Sequence, residues 1–176
     1  MHMKNTNELI KVAMFAAITA VLSQIILPIG PVPYSLGLLG PLLAGMLCSV
    51  PVATFSMVAY LLMGAVGLPV FAGFVGGIGV LLNSTGGYVV GYIFVSLLTS
   101  LARNKKWYFT VCAMASGLLL CYITATIWFM TISQNTLWAS LLYCVFPFVV
   151  PDIAKIVCAF LLGKAIEKRL KFINHK

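Results

Sequence analysis

From Val12 to Ala102 the chain has no Asp, Glu, Lys, Arg or His, and from Trp107 to Pro151 there is again none. A water-soluble surface cannot be built from such tracts, because soluble domains carry about 25% charged residues. Here 8% of residues are charged and 62% are hydrophobic. A bilayer is the solvent that fits. One spanning helix takes about 20 apolar residues, so the first tract accommodates four spans. The second tract, with the final helix, accommodates two.

The net charge of +8 is confined to the edges of these tracts. Lys4 and Lys11 flank the start, Arg103, Lys105 and Lys106 form a middle cluster, and Lys164, Lys168, Arg169, Lys171 and Lys176 close the chain. Cytoplasmic ends and loops carry the Lys/Arg excess. All three groups are therefore expected on the cytoplasmic side, which requires an even number of spans between them. The sequence thus predicts an all-α membrane protein, one domain over residues 1–176, with six transmembrane helices and both termini cytoplasmic. The basic clusters sit at span ends and accompany no nucleic-acid-binding module, so nucleic acid is excluded as a partner. Membrane lipid is the expected surrounding.

Lys155 is the one basic residue outside those groups, and Asp152 is the one acidic residue inside an apolar segment. Three residues apart on a helix, they share a face. A charge at mid-membrane costs about 3 kcal/mol or more, and such residues by default mark functional sites. Pro151 suits the first turn of a helix, which would put Asp152 at the positive end of the helix dipole. Ala159 and Gly163 continue the same face and allow a neighbouring helix to come close.

The spans read in order as Leu9–Leu27, Tyr34–Val50, Pro51–Gly67, a fourth opening at 83–88 and ending near Ala102, Tyr108–Met130, and the Asp152 helix. An outside turn is expected over Ile29–Pro33, and an outside interfacial segment with Trp138 and Tyr143 over Leu137–Phe146. The start lacks a cleavage signal and is read as a retained helix. On the first helix, Ala13 and Ala17, and Ala16 and Ala20, are spaced i, i+4. Such small-residue faces let helices approach closely in lipid; spacing alone fits an external partner and an internal neighbour equally.

Gly64 to Gly87 holds eight of the fifteen glycines. The stretch from Leu68 to Gly77 cannot hold a stable helix. Irregular backbone at membrane depth is tolerated where it is buried in protein or lines a cavity, so a loop on the extracellular side forming a lid or pocket wall is expected. Asn83 fits either a helix N-cap or an amide facing the cavity. The five cysteines are scattered without a C-x-x-C, and His2 and His175 lie at the ends, so no metal centre is expected. No second carboxylate, HExxH, G-x-S-x-G or P-loop is present, so neither catalysis nor ATP hydrolysis by this chain is expected.

Several blocks together resemble a known family. They are Pro31–Leu36, Leu42–Gly45, Tyr60–Gly73, Gly76-Gly77, Thr85–Tyr88, and Pro147-Phe148 with Asp152 and Lys155. In order, spacing and number of spans the chain resembles BioY, the substrate-binding (S) component of energy-coupling-factor biotin transporters. It departs from the family pattern at Gly37, Val75, Asn83 and Val89. The resemblance implies capture of biotin from outside, with docking on a transmembrane coupling subunit that carries two ATPase subunits and no cofactor of its own. It implies that Asp152 and Lys155 hold the ureido ring, and that the alanine face of Ala13, Ala16, Ala17 and Ala20 receives the partner. The ring offers two N–H donors and a carbonyl: Asp152 can accept from the former, and Lys155 or Asn83 can donate to the latter. Tyr34, Phe71, Phe74 and Tyr88 are candidates for the apolar wall, with Gly76 and Gly77 allowing close approach. The alternatives are an S component for another small vitamin or precursor, and a membrane-integral enzyme.

Overall fold

The computed structural model describes residues 6–27 and 34–174, with side chains described as far as Arg169. The expected turn at 29–33 lies outside the described residues, as do Lys4 and the last two residues. Helix α1 covers Thr6–Ser23 and leads into strand β1, Ile26–Leu27, which pairs antiparallel with strand β2, Tyr34–Ser35. One 3-10 turn, Leu36–Leu38, continues into α2, Leu39–Leu47. Ser35 starts that turn, its Oγ accepting from the Gly37 N–H at 3.3 Å. Helix α3, Val50–Ala65, follows a two-residue corner. Then come the short α4, Ile78–Leu81, and the longer α5, Gly86–Leu101, α6, Trp107–Ser133, α7, Leu137–Cys144, and α8, Phe146–Asn174.

The fold is all-α, with α5 at its centre. Helix α5 packs most extensively on α6 and also lies against α2 and α3; α1 packs on α3, and α8 on α2. Close approach explains the α5–α6 contact. A Cβ on Gly117 would stand 2.9 Å from the Cα of Val95, and one on Gly91 would stand 2.9 Å from the Cα of Cys121. Small residues permit such backbone contact between apolar helices.

Polarity runs opposite to that of a soluble domain. Val21, Leu119, Ile127, Val150 and Leu161 are exposed, while Thr19, Ser56, Ser96, Asp152 and Lys155 are buried. Thr6–Ser23, Trp107–Ser133 and the combined Leu137–Arg169 segment are long and apolar enough to cross a membrane. Leu36–Leu47, Val50–Ala65 and Gly86–Leu101 are shorter apolar helices.

Two local expectations are corrected and a third is given its form. The last helix starts at Phe146 and runs through Pro151. Pro147 takes the first-turn place, where a missing N–H costs nothing, so Asp152 lies in the second turn, away from the helix's positive end. Asn83 is not the cap of α5; Thr85 occupies that position, and the Asn83 Oδ1 accepts from the Ser84 N–H at 2.7 Å. The segment 137–146 is largely helical, with Thr136 capping α7 by accepting from the Ala139 N–H at 3.4 Å.

Candidate functional site

On α8 the i, i+3 spacing brings Lys155 Nζ to 2.8 Å from Asp152 Oδ1. Both residues are buried, at 6% and 4% exposure. The second carboxylate oxygen is not left over: Tyr122, from α6, donates its hydroxyl to Oδ2 at 2.7 Å. Lys155 also donates to the backbone carbonyl of Ser35 at 2.7 Å, and its ammonium lies 3.9 Å from the centroid of the Tyr34 ring. A buried ion pair costs stability unless its remaining donors and acceptors are met. Here they are met by groups from two other parts of the chain, so the pair ties α8 to α6 and to β2.

This pair forms one wall of a cavity of about 340 Å³, within the size range of small-molecule sites. Tyr60, Phe71, Tyr88, Tyr92, Leu118 and Phe148 supply apolar surface, and Ser23, Ser35, Asn83, Ser84 and Thr85 supply neutral polar groups. The aromatic walls are fixed in place. Tyr88 donates to the carbonyl of Cys144. The Tyr60 hydroxyl is 2.9 Å from that of Ser23 and donates to the Val70 carbonyl at 3.2 Å.

The cavity therefore gathers five of the residues singled out from sequence: Asp152, Lys155, Asn83, Tyr88 and Phe71. It does not gather the rest. Tyr34 stands behind Lys155, against Phe148 at 5.9 Å. Phe74 is 71% exposed and is not among the lining residues. Gly76 and Gly77 are not lining residues either. Both shape the loop: a Cβ on Gly76 would collide with the Leu68 carbonyl, and Gly77, at φ 103°, donates its N–H to the Gly64 carbonyl at 2.6 Å.

The alanine stripes of α1 part company. Ala13 and Ala17 are exposed, whereas Ala16 is 1% exposed and Ala20 packs with it beside Tyr60, Phe71 and Val89. Ala16 is buried and Ala20 half-buried, both packed inward.

Tyr122 and Gln24 were missed by sequence reasoning. Gln24 staples the glycine-rich loop: its Nε2 donates to the Val70 and Phe71 carbonyls at 3.1 Å each, and its Oε1 accepts from the Phe74 N–H at 2.8 Å. The signal for Gln24 was its amide within an apolar tract. Tyr122 had no comparable signal, since a tyrosine on an apolar helix is ordinary.

Among known proteins, the model of the BioY family matches residues 1–172. The probable biotin transporter BioY of Pyrococcus horikoshii is 35% identical over 161 residues, covering 91% of this chain and 96% of that protein. The biotin transporter BioY of Thermotoga maritima is 32% identical over 165 residues, covering 92% and 96%. The biotin transporter BioY2 of Lactococcus lactis subsp. cremoris is 34% identical over 178 residues, covering 98% and 97%. The crystal structure of an S-component for biotin from an ECF-type ABC transporter superposes with a TM-score of 0.83 over 95% of each chain, at 24% identity, a match of fold. With its apolar helices, buried ion pair and match over nearly its whole length, this chain is an integral membrane protein that belongs to the BioY family.

Proposed function

We propose that this chain captures biotin in the cavity beside Asp152 and Lys155 and serves as the substrate-binding component of an energy-coupling-factor transporter in the cell membrane. The observation that carries the reading is the buried Asp152–Lys155 pair on the wall of an aromatic cavity, in a chain whose relatives are named biotin transporters. A ureido ring matches that wall in kind, because Asp152 accepts from ring N–H groups and Lys155 donates to the ring carbonyl. Phe71, Tyr88 and Phe148 would enclose the apolar bicycle, with Asn83 toward the mouth.

The chain acts as a single membrane domain of six spans with both ends in the cytoplasm. The three shorter apolar helices complete the count. Ala13 and Ala17 form the face that meets the transmembrane coupling subunit, which carries the two ATPase subunits. Transport, not catalysis, is the activity.

Binding of radiolabelled biotin to the purified protein tests the reading, with unlabelled biotin, thiamine and riboflavin as competitors. Saturable binding displaced by biotin alone is expected. Absence of saturable biotin binding, or displacement by thiamine or riboflavin as readily as by biotin, would overturn the assignment.

A further inference from the structure

The cavity lining holds one anion, Asp152, and one cation, Lys155, and the two neutralise each other at 2.8 Å. Lys155 already serves Asp152, the Ser35 carbonyl and the face of Tyr34, and what it can still offer goes to the ureido carbonyl, so it is not a partner for a second ligand group. The other polar lining groups are neutral. Among the described residues, no other cation reaches the cavity. Lys11 lies on α1 about 18 Å along the helix from Ser23, at 1.5 Å per residue. Arg103, Lys105 and Lys106 follow the end of α5 remote from Tyr88, and Lys164, Lys168 and Arg169 lie further along α8. By sequence, residues 28–33, between β1 and β2, contain no ionisable side chain.

Biotin has a second end, a flexible tail closing in a carboxylate. With the ureido head at Asp152 and Lys155, that carboxylate meets no positive charge. Burying an unpaired carboxylate is costly, so the tail lies at the mouth, among the neutral donors of Asn83, Ser84 and Thr85. Asn83 is exposed there. Neutral amide and hydroxyl donors serve the carbonyl of an ester or amide as well as they serve a carboxylate.

We propose that this cavity selects its ligand by the cyclic-urea head and does not discriminate the charge of the tail. Esters and amides of biotin then belong to its substrate class together with the free acid. The inference rests on the reading of the cavity as a biotin site and adds the specificity of its outer end.

The test is displacement of radiolabelled biotin from the purified protein by biotin, biotinamide and biotin methyl ester. A carboxylate held by a charged partner loses about tenfold or more in affinity when that contact is removed. Here the three compounds are expected to displace the label at concentrations within about fivefold of one another, below that loss. A variant probes the same end. Val75 lines the cavity and is 42% exposed, so Val75→Lys adds a cation at the mouth without disturbing the core. It is expected to make biotinamide more than about fivefold weaker than biotin, the effect of one charge-assisted contact. Saturable biotin binding with biotinamide more than fivefold weaker in the wild type overturns this inference alone, as does a Val75→Lys protein whose preference is unchanged. Absence of saturable biotin binding overturns the biotin reading, and this inference with it.

Discussion

Asp152 has both carboxylate oxygens occupied before any ligand arrives, one by Lys155 and one by Tyr122. Each oxygen still has a second lone pair, and those are the ones a ureido N–H can use. Asp152→Asn removes the charge and presents an NH2 group where a ligand donor also points. Biotin affinity is expected to fall at least tenfold, about 1.4 kcal/mol, measured on protein whose helicity and size-exclusion profile match the wild type. Lys155→Met strands Asp152 in the interior, a defect worth about 3–5 kcal/mol, and should lower affinity similarly. Tyr122 lines the cavity and holds the carboxylate by a hydrogen bond, and it is expected to act through Asp152. Tyr122→Phe keeps the ring but removes a hydrogen bond to a charged acceptor, so a loss of roughly tenfold in biotin affinity is expected. The loss should vanish in an Asp152→Asn background, and a full additional loss there would show that Tyr122 acts by some other route. At this scale the ion pair was legible because two charges stood alone in apolar sequence. Tyr122 was not, because nothing in spacing says which buried tyrosine meets a carboxylate thirty residues away.

On α1 two adjacent stripes with the same spacing turn out to do different things. Ala16 and Ala20 face Tyr60 and Phe71, and Ala13 and Ala17 face outward among Ile10, Met14 and Val21, all exposed. Ala17→Leu is therefore expected to leave biotin binding intact while reducing recovery of the coupling subunit in a pull-down, because a bulky residue holds helices apart. Ala16→Leu should do the reverse kind of damage. Overpacking a site with 1% exposure costs about 1–3 kcal/mol, seen as a lower melting temperature in detergent. Equal recovery of the coupling subunit with Ala17→Leu would place docking on another face. An i, i+4 pattern shows that a helix can be approached closely and leaves open which neighbour does so. The last helix shows the same limit: Pro147 and Pro151 both fit a first turn, and the helix starts at Phe146, which puts Pro147 there. In the glycine-rich loop, irregular backbone was legible from composition. The direction of each side chain was not, because positive-φ residues such as Gly73 at 89° and Phe74 at 57° reverse it.

At the scale of the molecule, helix length and charge placement bear on how the chain sits in the bilayer. Helices α3 and α5 have 16 residues each, about 24 Å at 1.5 Å per residue, against a hydrocarbon core of about 30 Å. Both stop short at the cavity end. There the chain is continued by the β1–β2 hairpin and the loop from Val66 to Gly77, whose backbone is held by Gln24, Gly64 and Val75. Non-helical backbone of this kind is allowed at membrane depth when protein groups satisfy it around a cavity. The opposite end of α5 leads into Arg103, Lys105 and Lys106. Charge clustering thus supplies an expectation of sidedness from sequence, while the shortness of the helices was hidden because the apolar tract runs on unbroken through the loop. The cavity end should face outside and the basic end the cytoplasm. In a background lacking the five native cysteines, single cysteines at Lys106 and Thr136 test this with a membrane-impermeant maleimide applied to intact cells. Position 136, the cap of α7, is expected to label from outside, and position 106 only after the membrane is opened. Labelling of position 106 in intact cells would invert the orientation or change the number of spans, and with it the side from which biotin enters.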